Sequence, residues 1–418
     1  YVDGGNLTVS ITGTSVPDGR QFENLVVTKP SATVEIKDTP TEVVAKLTAT
    51  SEVTEGGNIT YTVTLTGPDG LPINNHGALT FTLADKTVIN VAANATTGSV
   101  TVAAPDNVYI GQTTVTNSLQ SVGGAGASKF EQLTLDKASV NTIVKDEPGV
   151  GPAGPGNQGD KVELSIVANQ TSVFENEKPT FTISIKEALD QDLTVQLGEG
   201  KSVVITKGTL SAVWTNDAQG EDVYVDGGNL TVSITGTSVP DGRQFENLVV
   251  TKPSATVEIK DTPTEVVAKL TASAEATEGG TITYTVTLTG PDGLPINNHG
   301  ALTFTLADKT VINVAANATT GSVTVAAPDN VYIGQTTVTN SLQSVGGAGA
   351  SKFEQLTLDK ASVNTIVKDE AGVGTPGDNN HGDKVELSIV ANQTSVFENE
   401  KPTFTISIKE KLDQDLTV

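Results

Sequence analysis

In the run Thr283–Leu288, "TYTVTL", polar and apolar residues alternate with a period of two. Tyr284, Val286 and Leu288 therefore share one face of an extended strand and the threonines share the other. The pattern recurs in seven short runs, approximately "VAKLTASAEA", "TITYTVTLTG", "ALTFTLA", "TVINVAANA", "SVTVAA", "VYIGQTTVTNSL" and "EQLTLDKASVNTIV". Between them lie the turn signals "TEGG", "PDGLPINNHG", "DK", "TTG", "PDN" and "VGGAGASKF". Short alternating runs at this spacing predict an all-β fold of tandem Ig-like β-sandwich domains, about seven strands each, in an elongated array.

The pattern repeats at two levels. The stretch opening at Tyr1, "YVDGGNLTVSITGTSVPDGRQFENLVVTKPSATVEIKD", returns at Tyr224, a period of 223 residues with eleven differences over the shared length. Six of these fall together: Pro148, Pro152, Ala153, Pro155, Gly156 and Gln158 become Ala371, Thr375, Pro376, Asp378, Asn379 and His381. Strand-like sequence is copied while the Gly/Pro stretch drifts, as expected of a spacer between folded bodies. Within a period, "GEDVYVDGGNLTVSI" from Gly220 resembles "APDNVYIGQTTVTNSL" from Ala327, and "QFENLVVTKPSATVEIKD" from Gln244 resembles "KFEQLTLDKASVNTIVKD" from Lys352.

Each period therefore holds two related domains. Type B is expected at 43–147 and 266–370, and a complete type A at 162–263, with Gly/Pro linkers at 148–161 and 371–384. Residues 1–40 match the last strands of type A and 385–418 its first. Neither piece closes a core alone, so each is expected to be ordered by contact with neighbouring chains or to belong to a longer array. Neighbouring domains differ in sequence, which discourages strand exchange during folding.

Composition narrows the possible partners. With 49 acidic against 25 basic residues, the net charge of −24 repels nucleic acid and anionic lipid and invites divalent cations. The absence of cysteine removes disulfides and thiolate metal sites. No apolar run approaches the roughly 18 residues of a membrane span, so no membrane insertion is expected.

Strand parity then places the acids. On an up-and-down path alternate loops share a pole, which puts Glu278, Asp308 and Asp329 at the far pole of type B with the exit residues Asp369 and Glu370. In type A it groups Glu175, Glu177, Asp217, Glu221, Asp222 and Asp261. So many carboxylates in one place destabilise each other unless a cation joins them. Calcium, which takes six to eight oxygens in flexible geometry, is the expected cofactor. Type A meets type B through the short "TPTE" after Asp38 and again after Asp261, whereas Asp160 and Asp383 sit at the end of the long linkers.

These residues resemble a known group. Two Ig-like units per 223-residue period, carrying "TEGG", "TYTVTLTG", "DNVYIG", "FEQL" and "IVKD", are similar to the repeat region of the LapA-type large biofilm adhesins of pseudomonads. They are also similar to the extender repeats of calcium-dependent RTX adhesins, an ice-binding adhesin among them. The resemblance covers essentially the whole chain. It implies an extracellular protein of the bacterial cell surface, exported by a type I system and retained at the outer membrane. Its repeats would project a binding tip for surface attachment and biofilm formation, with calcium at domain junctions. Carried over by position, ligands would be Glu55, Asp106, Asp146 and Glu147 in the first type B domain, and Glu278, Asp329, Asp369 and Glu370 in the second. Type A would supply Glu175, Asp222 and Asp261, and Asp38 is the earlier copy of Asp261. Neighbouring repeats of the chain are the implied partners, with abiotic surfaces or matrix polysaccharide engaged through the full-length adhesin.

Other chemistries fit less well, and the chain is not expected to be an enzyme. His76 and His299 occupy equivalent "NNHG" turns and His381 a linker, so all three are expected in solvent. No carboxylate pair is framed by apolar sequence that would tune an acid catalyst. "GGAGAS" lacks the Lys-Thr and helix of a phosphate loop, and "N-x-T" triplets such as that at Asn94 matter only in a glycosylating host. Trp214, Phe22, Phe130 and Tyr109 fall at strand positions and are expected in the core. The rival class is a carbohydrate- or surface-binding module acting through repetition, its ligand held by Thr-rich faces or long loops.

Overall fold

The computed structural model describes residues 1–151, 156–374 and 380–418. The expected spacers lie partly outside these: 152–155 of the first and 375–379 of the second. The chain divides into two compact units. One holds Tyr1–Val167, Thr182–Val213 and Ser233–Ser254, and the other holds Ala168–Phe181, Trp214–Val232 and Ala255–Val418. Each is built of strands, with 3-10 turns such as Ala127–Lys129 as the only helical segments among the described residues.

The second unit contains the clearest sandwich. A four-stranded sheet orders Thr320–Ala326, Thr281–Thr289, Glu265–Ala272 and Gln355–Leu358. Facing strands form two short sheets, one of Glu275–Thr277, Val363–Lys368 and Thr336–Asn340, the other of Val311–Val314, Leu302–Leu306 and Leu342–Gly346. The apolar half of each alternating run points inward. Tyr284, Val286, Phe304, Ile312 and Val367 are all buried in one cluster, and burying each such side chain contributes about 1.5–3 kcal/mol. Thr365 is buried with them and satisfies its hydroxyl by donating to the Ser273 carbonyl at 2.7 Å.

Seven expected runs become ten strands here because three of them bend and change sheet. "VAKLTASAEA" breaks at Ser273 and Ala274, so Glu265–Ala272 pairs with Thr281–Thr289 while Glu275–Thr277 pairs in parallel with Val363–Lys368. "EQLTLDKASVNTIV" divides likewise between Gln355–Leu358, parallel to Glu265–Ala272, and Val363–Lys368. The third run, "VYIGQTTVTNSL", is interrupted at Ser341, and its opening "VYIG" is not strand at all. Sandwich strands switch sheets at such bends because the two twisted layers diverge toward their edges.

In the first unit, Glu42–Ala49 pairs with Asn58–Thr66 and, in parallel, with Gln132–Leu135, reproducing the same order. Its core gathers Ile59, Tyr61, Phe81 and Leu119. This unit also contains residues 161–165 running parallel to Asn247–Lys252, and Leu193–Leu197 between Ser202–Ile205 and residues 234–238.

Two hairpins end the described chain, Gly5–Ser10 with Ser31–Ile36 and Leu387–Ala391 with Phe404–Ile408. Their apolar residues are open to solvent. Phe22, expected in a core, is 59% exposed, while the identical motif places Phe245 at 9%.

Candidate metal centres at the repeat ends

The "TEGG" turn builds the first centre. Gly56 has a φ of +65°, which a β-carbon would strain, and the turn brings the Glu55 side chain inward under the loop 105–107. Glu55 N–H donates to the Lys145 carbonyl at 2.8 Å, so the exit Asp146 arrives beside it. Asp146 in turn accepts from Gly111 N–H at 3.0 Å. A third carboxylate, Glu246, belongs to a later stretch: its N–H donates to Val108 O at 3.0 Å and its Oε2 accepts from Asp160 N–H at 2.9 Å. Ligand oxygens of Glu55, Asp146 and Glu246 lie within 4.8 Å of one another. Glu246 is fully buried and Glu55 nearly so.

The electrostatics are unfavourable as they stand. Burial, followed by the neighbouring Glu147 and Glu55 carboxylates, pushes Glu246 up to about 8 despite the Asp160 amide. Burial raises Glu55 as well, with Asp146 and Glu147 adding to it. Glu55 Oε2, Glu147 Oε2 and Glu246 Oε1 are buried without a hydrogen-bond partner. Among the described residues no Lys or Arg forms an ion pair with Glu55, Asp146 or Glu246. A buried carboxylate group without a counter-charge is a costly arrangement, and a cation is the usual compensation.

The second unit repeats the design. Glu175, wholly buried, belongs to two groups, one with Asp226 and Asp261 and one with Asp222 and Glu354. Asp261 accepts from Asp226 N–H at 3.0 Å, Asp222 from Tyr224 N–H at 2.6 Å, and Glu354 from Thr264 N–H at 2.7 Å. Burial, then Glu354 and Glu221, push Glu175 up to about 7. In the last complete repeat Glu278, Asp329 and Glu370 converge, with Glu278 raised by burial first and by Asp369 and Glu370 after it. Near the start, Asp3, Asp38 and Glu131 converge, with Asp38 accepting from Asp3 N–H at 2.9 Å.

Of the residues expected from sequence, Glu55, Asp146, Glu175, Asp222, Asp261, Glu278, Asp329, Glu370 and Asp38 fall inside these groups. Asp106, Glu147 and Asp369 stand beside them: Asp106 raises Asp160, Glu147 raises Glu55, and Asp369 raises Glu278. Three members of the expected poles go elsewhere. Asp308 accepts from Thr310 N–H at 2.8 Å in a turn whose Ala307 N–H binds the Ser341 carbonyl, beside the bend in the long run rather than at its pole. Glu177 caps Phe174 N–H at 2.9 Å, and Asp217 points into solvent toward Lys178. Strand parity fails for Asp308 because the switch at Ser341 moves its hairpin away from the pole.

Glu246, Glu354, Glu131, Asp3 and Asp226 are members that strand parity does not anticipate. Their signal is visible as the recurring "FE" of "QFEN" and "KFEQ" and the "D-G" after "VY", but parity assigns those residues to the other end of their own domain. The aromatic residue before each Glu marks the same contact. Phe245 stacks on Tyr109 at 5.2 Å, with Arg243 4.0 Å above the Tyr109 ring, and Phe353 lies 5.4 Å from Tyr224.

The histidines correct another expectation. His76 and His299 are each 3% exposed, not solvated. His76 Nδ1 lies 2.7 Å from Gly77 O and Nε2 3.0 Å from Ala95 O, with the ring 5.3 Å from Phe130. The "NNHG" turn folds inward because a ring N–H finds a carbonyl to accept it and the ring packs against Phe130. His381 is exposed. Trp214 is half-buried, tilted against Phe181 at 5.8 Å.

Tandem β-sandwich repeats with carboxylate clusters at their ends define a class of structural repeat proteins. The chain belongs to the LapA domain family, whose model matches residues 41–147, 160–262 and 264–370, more than half of its length. This is a family of adhesin repeats, structural rather than enzymatic, and its membership implies a cell-surface protein. Among the described residues no helix is long and apolar enough to cross a membrane. No curated protein matches the chain. Among solved structures the chain is similar to the native α-2-macroglobulin of E. coli, at 11% identity and a TM-score of 0.18, covering 90% of this chain and 30% of that one. It is also similar to domains 1–6 of the surface layer protein SbsC, at 13% identity and a TM-score of 0.18, covering 86% and 62% respectively. The chain thus spans less than two thirds of either, and likenesses this weak bear on neither its fold nor its function.

Proposed function

We propose that the chain is a run of extender repeats of a bacterial surface adhesin, retained at the outer membrane, that projects a binding tip for attachment and biofilm formation. Its joints are stiffened by calcium. The observation that supports this is the grouping of Glu55 and Asp146, from one matched repeat, with Glu246, from the next. Three carboxylates drawn from two repeats, two of them buried and the third half-buried, without a basic partner, suit an ion that ties the repeats together. The donors are all oxygen, with neither histidine nor thiolate in any group, which favours a hard cation over zinc or copper. Glu175, Asp222, Asp226, Asp261 and Glu354 would hold the ion at the following joint, and Glu278, Asp329 and Glu370 would hold one at the third.

Held at one end by carboxylates and at the other by a short connector, two repeats lose the freedom to swing. The longer segment at 148–161 is also tied at its described ends: Gly151 N–H donates to Glu246 O at 2.8 Å and Asn157 Nδ2 to the same oxygen at 2.7 Å. Thermal melts and small-angle scattering of the chain in millimolar calcium and in EDTA test the reading. Calcium at ten times the dissociation constant adds about 1.4 kcal/mol per site, so the melting temperature should rise and the scattering particle lengthen. If both curves are unchanged, the buried acids hold no calcium and the repeated faces become the place to look for a ligand.

A further inference from the structure

One turn carries an amide at two of the joints and a carboxylate at the other. At the first joint Asn107, in "PDNVY", accepts from Tyr109 N–H at 3.0 Å through Oδ1 and donates from Nδ2 to Glu55 Oε1. Asn330 does the same in the last complete repeat, accepting from Tyr332 N–H and donating to Glu278 Oε1. In the intervening type A repeat the same place, in "GEDVY", is Asp222. Its Oδ1 accepts from Tyr224 N–H at 2.6 Å, so the turn is kept. An ionised carboxylate has no hydrogen to donate. The side chain that ties off a glutamate oxygen at two joints is therefore a free ligand at the third.

The grouping of the acids follows that exchange. Where Asn stands, a single trio converges: Glu55 with Asp146 and Glu246, and Glu278 with Asp329 and Glu370. Where Asp stands there are two trios, Glu175 with Asp226 and Asp261, and Glu175 with Asp222 and Glu354. Calcium–oxygen bonds run about 2.3–2.6 Å, so oxygens on one ion lie no more than about 5 Å apart. Within each trio the ligand oxygens lie within 4.8 Å of one another, and the five acids together do not form one such group. Asp226 is a second addition at this joint: Asp261 accepts from its N–H, where Asp146 accepts from Gly111 N–H.

The residue common to both trios has an oxygen to spare. Glu175 is wholly buried, its Oε1 accepts from Thr262 N–H at 3.2 Å, and its Oε2 has no hydrogen-bond partner. Glu354 Oε1 and Glu221 Oε2 are likewise buried and unpartnered. Among the described residues no Lys or Arg forms an ion pair with any of the five acids. Resting on the calcium reading above, we propose that this joint holds two calcium ions bridged by Glu175, one with Asp226 and Asp261 and one with Asp222 and Glu354. The joints of Asn107 and Asn330 lack the second site, because the amide occupies the glutamate oxygen that would bridge.

Equilibrium dialysis of the 418-residue chain against a calcium series, with bound calcium counted by atomic emission, tests this. Asp222→Asn copies the other two joints and keeps an acceptor for Tyr224 N–H. It should bind one calcium fewer per chain at saturation. Asn107→Asp copies Asp222 and should bind one more. Both exchanges are isosteric, and circular dichroism checks that the repeats remain folded. An Asp222→Asn chain that binds as many ions as the parent overturns the proposal, and so does one that loses two, which would make the five acids a single interdependent site. An Asn107→Asp chain that gains no ion overturns it as well. Each of these outcomes leaves calcium at the joints standing, whereas a parent chain that binds no calcium overturns both readings together.

Discussion

Glu246 shows how much a single residue decides. It is buried completely in a group of acids with one oxygen unpartnered, so its charge is tolerable only with a cation close by. Glu246→Gln removes that charge and nearly nothing else. In EDTA the variant should be more stable than the parent by on the order of 1 kcal/mol, a rise of about 2–4 °C in melting temperature. In calcium the order should reverse, because a ligand has been lost, and calorimetry under the two conditions reads both signs. His76 belongs to the same scale. Its ring nitrogens both face carbonyl oxygens inside the fold, so His76→Ala should lower stability by about 1–3 kcal/mol through unpaired buried groups. An equal loss in His299→Ala would follow from the matching geometry, and no loss at all would return these side chains to the solvent.

Among the strands, what matters is where a run bends. Ser273, Ser341 and the stretch 359–362 hand three continuous runs from one sheet to the other, and those switches set which loops meet at a pole. They bring Glu278 to Asp329 and leave Asp308 beside Ser341. Alternation of apolar residues does not mark such a bend, because inward residues remain inward on either side of it. The aromatic pair is the other feature at this scale. Phe245→Ala empties the face of Tyr109 and should cost about 3–5 kcal/mol if the contact is as well packed as a core. The expected signature is a separation of the first repeat's melting transition from that of the next, read by calorimetry; one unchanged cooperative transition would mean that the pair carries no coupling.

For the whole molecule the acids make stability depend on pH in a direction opposite to that of most proteins. Glu246 at about 8 and Glu175 at about 7 both stand above the ordinary 4.5. Each binds its proton more tightly folded than unfolded, so its contribution is full below the unfolded value and is lost as pH rises through the folded one. In EDTA the melting temperature should therefore fall as pH is raised from about 5 to about 9, most steeply near 7 to 8. Calcium requires the ionised carboxylates, so in its presence that fall should flatten. A melting temperature in EDTA that is constant or rises over this range would show that the buried acids are paired in some other way.

Sequence alone determined the class of fold, because a period of two in apolar residues leaves only one way to bury them. It determined the repeats as well, and it located most of the acids that converge, since Glu55, Asp146, Glu175 and their copies lie at turns and exits where strands must end. What it left open was which neighbour completes each group. Glu246 and Glu354 stand far along the chain from their partners, next to a phenylalanine that reads as core, and nothing local distinguishes an acid facing solvent from one facing the next repeat. Only the packing of Phe245 on Tyr109 and of Phe353 on Tyr224 carries those carboxylates to their places. That is a property of two surfaces meeting, which no single stretch of sequence contains.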